Sequence, residues 1–203
     1  MSSVLRRRSG LLYMKMEDIW TRIESWLSVH APPILETLQP GATEAEISQL
    51  EAFLSVKFPE DLKALYRLCN GQSGQSYELF DRGLEFLSLD RIREVWSAWK
   101  HNLDIEYFDD MCEPDIGVRK VWWSPRWIPL TDDGGGNHYC VDLHPAMGGR
   151  LGQIITMWHD SGEREICSSS IKDWLEEYLD GLESGKLVFS EDYKGILDVE
   201  DDI

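Results

Sequence analysis

Three consecutive glycines, Gly134-Gly135-Gly136, sit between two short apolar runs and constrain the fold more than any other stretch of the chain. Glycine enters the φ > 0 region at little steric cost, so a Gly-Gly-Gly run marks a reversal of the backbone. Trp127-Ile128-Pro129-Leu130 leads into the turn, and Asp132, Asp133 and Asn137 flank it with side chains that bond readily to nearby backbone. Beyond the turn, Tyr139, Val141 and Leu143 alternate with His138, Cys140 and Asp142, the period of a half-buried strand. A second glycine turn, Met147-Gly148-Gly149-Arg150, leads into Gly152-Gln153-Ile154-Ile155-Thr156-Met157-Trp158. The spacing predicts an antiparallel meander.

Helical signals surround these strands. Met16, Ile19, Trp20, Ile23, Trp26 and Leu27 share one helix face, and Pro32-Pro33 stops that helix near His30. Thr43 with Glu46 forms a capping box for a second helix. Pro59 opens a third, lined by Leu62, Leu65, Tyr66 and Cys69, and Asn70-Gly71 reads as its C-cap. Leu89–Trp99 is a fourth, capped by Ser88 or Asp90. Ile171, Trp174, Leu175, Tyr178, Leu179 and Leu182 mark a closing helix, N-capped from Ser168-Ser169-Ser170 and ended by Gly185. Leu187-Val188-Phe189 suggests one more strand. Helices before and after a block of strands, without βαβ alternation, predict a single α+β domain with a mainly antiparallel sheet and helices packed on one side. The expected boundaries are a flexible extension over 1–15, where Met14 or Met16 could be the start, the domain over 16–189, and an acidic, fraying tail over 190–203.

Formal net charge is −17 over 203 residues, and the basic Arg6-Arg7-Arg8 lies at the very start. Such a surface repels nucleic acid and anionic membrane and suits a basic protein partner. Asn102–Asp115 concentrates acids at Asp104, Glu106, Asp109, Asp110, Glu113 and Asp115. They are the candidate partner-binding residues, and a solvated acidic loop is the simpler reading of the same run. Cys69, Cys112, Cys140 and Cys167 lack metal spacing and fit a reducing, cytoplasmic compartment. No apolar segment approaches the length of a membrane span.

Candidate chemistry is sparse. Asp132, Asp133 and Asn137 would make a metal or acid–base site only with further ligands, and no EF-hand pattern closes around them. His138, His144 and His159 border the meander without a spacing that demands convergence. The serine cluster lacks a nucleophile-elbow context. A structural turn and satisfied histidines are the simpler expectation, with no cofactor or metal.

Two motifs carry a resemblance. Phe58-Pro59-Glu60-Asp61-Leu62, followed by Leu65-Tyr66 and Asn70-Gly71, and then Trp127-x-Pro129-Leu130-x-Asp132-Asp133-Gly134-Gly135-Gly136-Asn137 with Asp142 and Gly152-Gln153, resemble the signature of the SUKH superfamily. The similarity runs from Thr43 to Leu182. It implies an α+β protein-binding fold and no enzyme. Its main implication is a bacterial immunity protein neutralising a basic toxin, for example a nuclease, encoded nearby. The alternative is a fungal-type regulator or scaffold of cell-wall synthesis, and the remotest is a hydrolase using Asp132, Asp133 and a histidine.

Overall fold

A computed structural model describes residues 14–74, 77–80, 83–101 and 110–200. The elements run α1 (Met16–His30), α2 (Pro32–Leu35), β1 (Leu38–Pro40), α3 (Glu44–Leu54), α4 (Glu60–Leu68), β2 (Cys69–Gln72), β3 (Glu85–Phe86) and α5 (Leu89–His101). Then come β4 (Glu113–Pro114), β5 (Trp127–Pro129), β6 (Thr131–Asp132), β7 (His138–Asp142), β8 (Gln153–Met157), β9 (Glu163–Arg164), β10 (Ile166–Ser168), α6 (Ile171–Ser184), β11 (Leu187–Ser190) and β12 (Gly195–Asp198). Apart from the β4–β9 pair, which is parallel, the paired strands are antiparallel, so the fold is the expected α+β type.

The central sheet has the order β10-β8-β7-β5, with β7 joined to both neighbours by the two glycine turns. The register places Ile128, Val141 and Ile154 on one face, where α6 covers β8 and β10. Helix α6 packs in turn on α1 and α4. Helix α1 presents Ile19, Trp20, Ile23 and Leu27 to this core, as its periodicity requires. Helix α3 starts at the Thr43–Glu46 capping box, and α6 starts at Ser170 and ends at Gly185 in a left-handed cap.

Three expectations change. The face bearing His138, Cys140 and Asp142 is buried rather than exposed. Trp99 of α5 covers this face at His138, and the segment running through β4 to Trp123 is tied to it at the Asp142 end through Gln153 and is held by Arg164. That side chain is fully buried, donates to the carbonyls of Ser161, Glu163 and Trp122 at 2.6–2.7 Å, and stacks its guanidinium on Trp122 and Trp127. Burial lowers its pKa, yet an arginine stays charged, and three carbonyl acceptors take the place of a carboxylate.

Asn70-Gly71 does not cap α4. The helix ends at Cys69 in an extended conformation and the chain runs on as β2. Asn70 Oδ1 instead accepts from Leu89 N at the start of α5. Gly71 has φ +73°, and a Cβ there would lie 2.3 Å from Ser88 N. Its glycine therefore serves a close backbone approach rather than a helix end.

The acidic tail does not begin at 190. Leu187–Ser190 pairs with Gly195–Asp198 as a hairpin, and Ile196 is buried in the core. Net charge hid the short apolar pair Ile196-Leu197, which lets this strand pair with β11 and bury Ile196. Residues 1–13 of the expected extension, and Asp104, Glu106 and Asp109, lie outside the described residues.

Candidate functional site

The glycine turn sits at one end of the central sheet. Gly134 has φ +74° and Gly136 has φ +102°, while Gly135 does not adopt a positive φ. Asp133 folds back over the turn. Its Oδ1 accepts from Gly135 N at 2.7 Å and Asn137 N at 3.0 Å, and its Oδ2 accepts from Asn137 Nδ2 at 2.6 Å. Partial burial pushes its pKa up, but the donors from Asn137 and Gly135 more than offset this and leave it low. Asp132 Oδ1 accepts from Gly134 N, and its Oδ2 lies 3.3 Å from Arg91.

His138 shows why these residues do not form a reactive pair. The Trp99 indole can only donate, so the 2.9 Å contact from Trp99 Nε1 fixes His138 Nε2 as an acceptor. The proton then resides on Nδ1, which donates to Thr131 O at 2.7 Å. Burial lowers the pKa of this ring and keeps it neutral. With both nitrogens engaged, His138 is neither a free base nor a free ligand. His159 is tied to Asn137 Oδ1 through its amide and Nδ1, both at 3.0 Å. His144 lies beyond the other end of β7 beside Arg119, so the three histidines do not converge. Among the described residues no group of three or more His, Cys, Asp or Glu side chains is placed to hold a metal ion. A small cavity of about 270 Å³ beside the turn is lined by Leu84, Asp133, Asn137, Trp158 and Asp160.

The remaining signature residues are also engaged in hydrogen bonds or packed within the fold. Asp142 Oδ1 accepts from His144 N, and its Oδ2 accepts from Gln153 Nε2 at 3.0 Å. Gln153 Nε2 also reaches Gly117 O, which fastens the covering segment to the sheet. Burial raises the Asp142 pKa, opposed by these donors. A Cβ on Gly152, at φ +87°, would lie 3.3 Å from Pro59 Cγ, so the two sequence motifs meet there. Trp127 is fully buried and Pro129 is paired in β5. Leu62 lines α4 toward the core. Ser170 caps α6 by accepting from Asp173 N at 3.1 Å.

One group of exposed acids gathers around the β4–β9 pair. Of the acidic run, Asp110, Glu113 and Asp115 are described and exposed. Glu113 pairs in β4 against Glu163, and a shallow depression beside them is lined by Met111, Glu113, Asp160, Ser161, Gly162 and Glu163. Sequence reasoning missed Asp160 and Glu163 because they join this acidic face only through the β4–β9 pairing. It also missed Arg164, whose isolated basic position carries no local signal of burial.

The family model described as "SMI1 / KNR4 family (SUKH-1)" matches residues 41–177, which contain both motifs. The chain is 26% identical over 211 residues to the cell wall assembly regulator SMI1 of Saccharomyces cerevisiae, covering 85% of this chain and 41% of that protein. It is 26% identical over 207 residues to the cell wall biosynthesis/cell cycle regulator smi1 of Schizosaccharomyces pombe, with 95% and 41% covered. It is 24% identical over 212 residues to a glucan synthesis regulatory protein of Neurospora crassa, with 85% and 39% covered. The chain thus spans about two fifths of the length of these relatives. No helix among the described residues is long and apolar enough to cross a membrane.

Proposed function

This chain belongs to the SMI1 / KNR4 family (SUKH-1), and from that premise we propose that it is a non-catalytic protein-binding module of the cell-wall-regulator type, acting in the cytoplasm. The observation that carries the reading is the direction of the polar groups. The carboxylates and imidazoles of the signature turn point into their own hydrogen bonds, while Asp110, Glu113, Asp160 and Glu163 face solvent. The relatives' names support a regulatory role over the toxin-immunity role implied first by the sequence. A hydrolase would require at least one of these groups to be released toward a substrate.

The partner's chemistry follows from charge. With net charge −17, an acidic face steers a basic protein surface toward it. Exposed charges are screened beyond about 8–10 Å at physiological ionic strength, so association should slow steeply with salt. The test is affinity capture of a partner followed by binding kinetics at two salt concentrations, for wild type and for Asp110→Asn/Glu113→Gln/Asp160→Asn/Glu163→Gln. The expected result is a slower on-rate in that variant and in high salt. A salt-independent on-rate would remove the acidic face from the account. Turnover of a substrate, lost on Asp133→Ala in folded protein, would replace the binding reading with an enzymatic one.

A further inference from the structure

The opposite end of the sheet carries a surface of different chemistry, and it goes beyond the acidic-face reading. The covering segment and the second glycine turn touch backbone to backbone there. Ala146 N donates to Gly117 O at 2.9 Å, and a Cβ on Gly149 would lie 2.2 Å from the same oxygen. This contact fixes the loops but leaves their large apolar side chains outside. Met147 is 96% exposed, Ile116 89% and Leu151 69%. The Ile116 side chain lies against Gly148, which joins the two loops into one patch. A groove of about 510 Å³ continues from Leu151 along the C-terminal end of α3, walled by Ala52, Val56, Leu143 and Leu151.

The rim of this patch is basic, in a protein of net charge −17. Arg119, Lys120, Arg126 and Arg150 are exposed. Among the described residues none of the four lies within ion-pair distance of a carboxylate. Arg119 bonds to the His144 carbonyl and ring, and Arg150 reaches Ser169. Arg126 lines the groove, and its carbonyl accepts from Leu143 N. Glu51, at the groove's inner wall, is offset by Lys57 and Lys63 at 2.9 and 3.0 Å.

We propose that this surface binds an acidic peptide segment of a partner protein, with two or three large apolar side chains set among its carboxylates. Met147, Ile116 and Leu151 lose water on contact with those side chains, and the groove takes one as an anchor. The arginine forks receive carboxylates bidentately, and none must first leave an ion pair with a described carboxylate. A concave groove with a rim of cations fits a chain segment better than it fits the plane of a bilayer, although the same residue types serve both. The surface and the acidic face lie at opposite ends of the sheet and select ligands of opposite charge, so the two readings stand or fall separately.

The test is a random-peptide display selection on the immobilised chain. It is followed by fluorescence anisotropy of the most enriched peptide against wild type, Met147→Asp, Ile116→Ser and Arg119→Glu/Arg150→Glu. Val29→Asp, at an exposed apolar position on α1, serves as control. Enriched peptides should carry net negative charge with spaced Leu, Phe or Met. Their affinity should fall about tenfold or more in each patch variant and weaken with salt, with the control unchanged. Thermal melts confirm that each variant is folded, and the two apolar substitutions and the charge reversal report independently. The proposal is overturned by a lack of enrichment, by enriched peptides without net negative charge, or by unchanged affinity in folded patch variants. Tighter binding to phosphatidylserine-containing vesicles than to any peptide, lost in the same variants, would assign the surface to membrane instead.

Discussion

Asp133, Asn137 and His138, around the Gly134–Gly136 turn, spend their polar groups on their own backbone and on each other. Ile116, Met147 and Leu151, around the Gly148–Gly149 turn, spend nothing on the fold. The first turn has the residue types of a catalytic or metal centre, and the second has those of an ordinary loop. The difference teaches that residue type alone does not locate function. A carboxylate with two or three donors already bonded is committed to structure, whereas an apolar side chain held in water by a rigid backbone is available to a partner.

The contrast can be broken most severely at the glycines. Gly149→Val would place a Cβ 2.2 Å from Gly117 O, a backbone atom that cannot move without lifting the covering segment. We expect a loss of about 3 kcal/mol or more, or failure to fold, in chemical denaturation. In the first turn Gly136→Val is strained by its φ of +102° and by a 3.1 Å approach to His159 Cβ, and should cost about 1–3 kcal/mol. Gly135→Ala meets only the Asp133 side chain and should cost less, so equal losses at the two positions would contradict the assigned turn geometry.

A subtler test concerns the buried imidazole. His138 has a pKa lowered by burial from the ordinary 6.5, so the unfolded chain binds the proton first as pH falls. Its contribution to stability is therefore full above 6.5 and is lost below it, down toward the depressed folded value. Melting temperature should drop between neutral pH and about pH 5, and His138→Gln should flatten that drop over the upper part of the range. A His138→Gln profile parallel to wild type would mean that the ring is not the neutral, doubly bonded group described above.

Much of the fold was legible because its determinants are local. The α1 stripe from Met16 to Leu27, the Thr43–Glu46 box, the Ser170 cap and the Gly185 stop each lie within a few residues of what they specify. The buried second face of β7 was not legible. It depends on Arg164 gripping Trp122 across 42 residues and on Gln153 reaching Gly117 across 36. The alternation His138-Tyr139-Cys140 reads the same with or without such a cover. Asn70-Gly71 misled for a related reason, since the close approach it serves is to Leu87 and Ser88, not to its own helix. Of the sites, the local hydrogen bonds of the turn, from Gly135 and Asn137 to Asp133, are legible from Asx residues beside glycines, whereas the basic-apolar patch joins residues from 116 to 151 that only the tertiary fold brings side by side.

The central claim is that the signature turn maintains the fold while recognition occurs elsewhere. It is tested most directly by measuring stability and peptide binding on the same two variants, Asp133→Ala and Met147→Asp. Asp133→Ala removes three hydrogen bonds and should lose about 1–2 kcal/mol in denaturant titration, yet bind the selected acidic peptide as wild type does while folded. Met147→Asp should stay within about 0.5 kcal/mol of wild type and lose that binding. The opposite pairing, an Asp133→Ala protein of unchanged stability that no longer binds and a Met147→Asp protein that still does, would contradict the account.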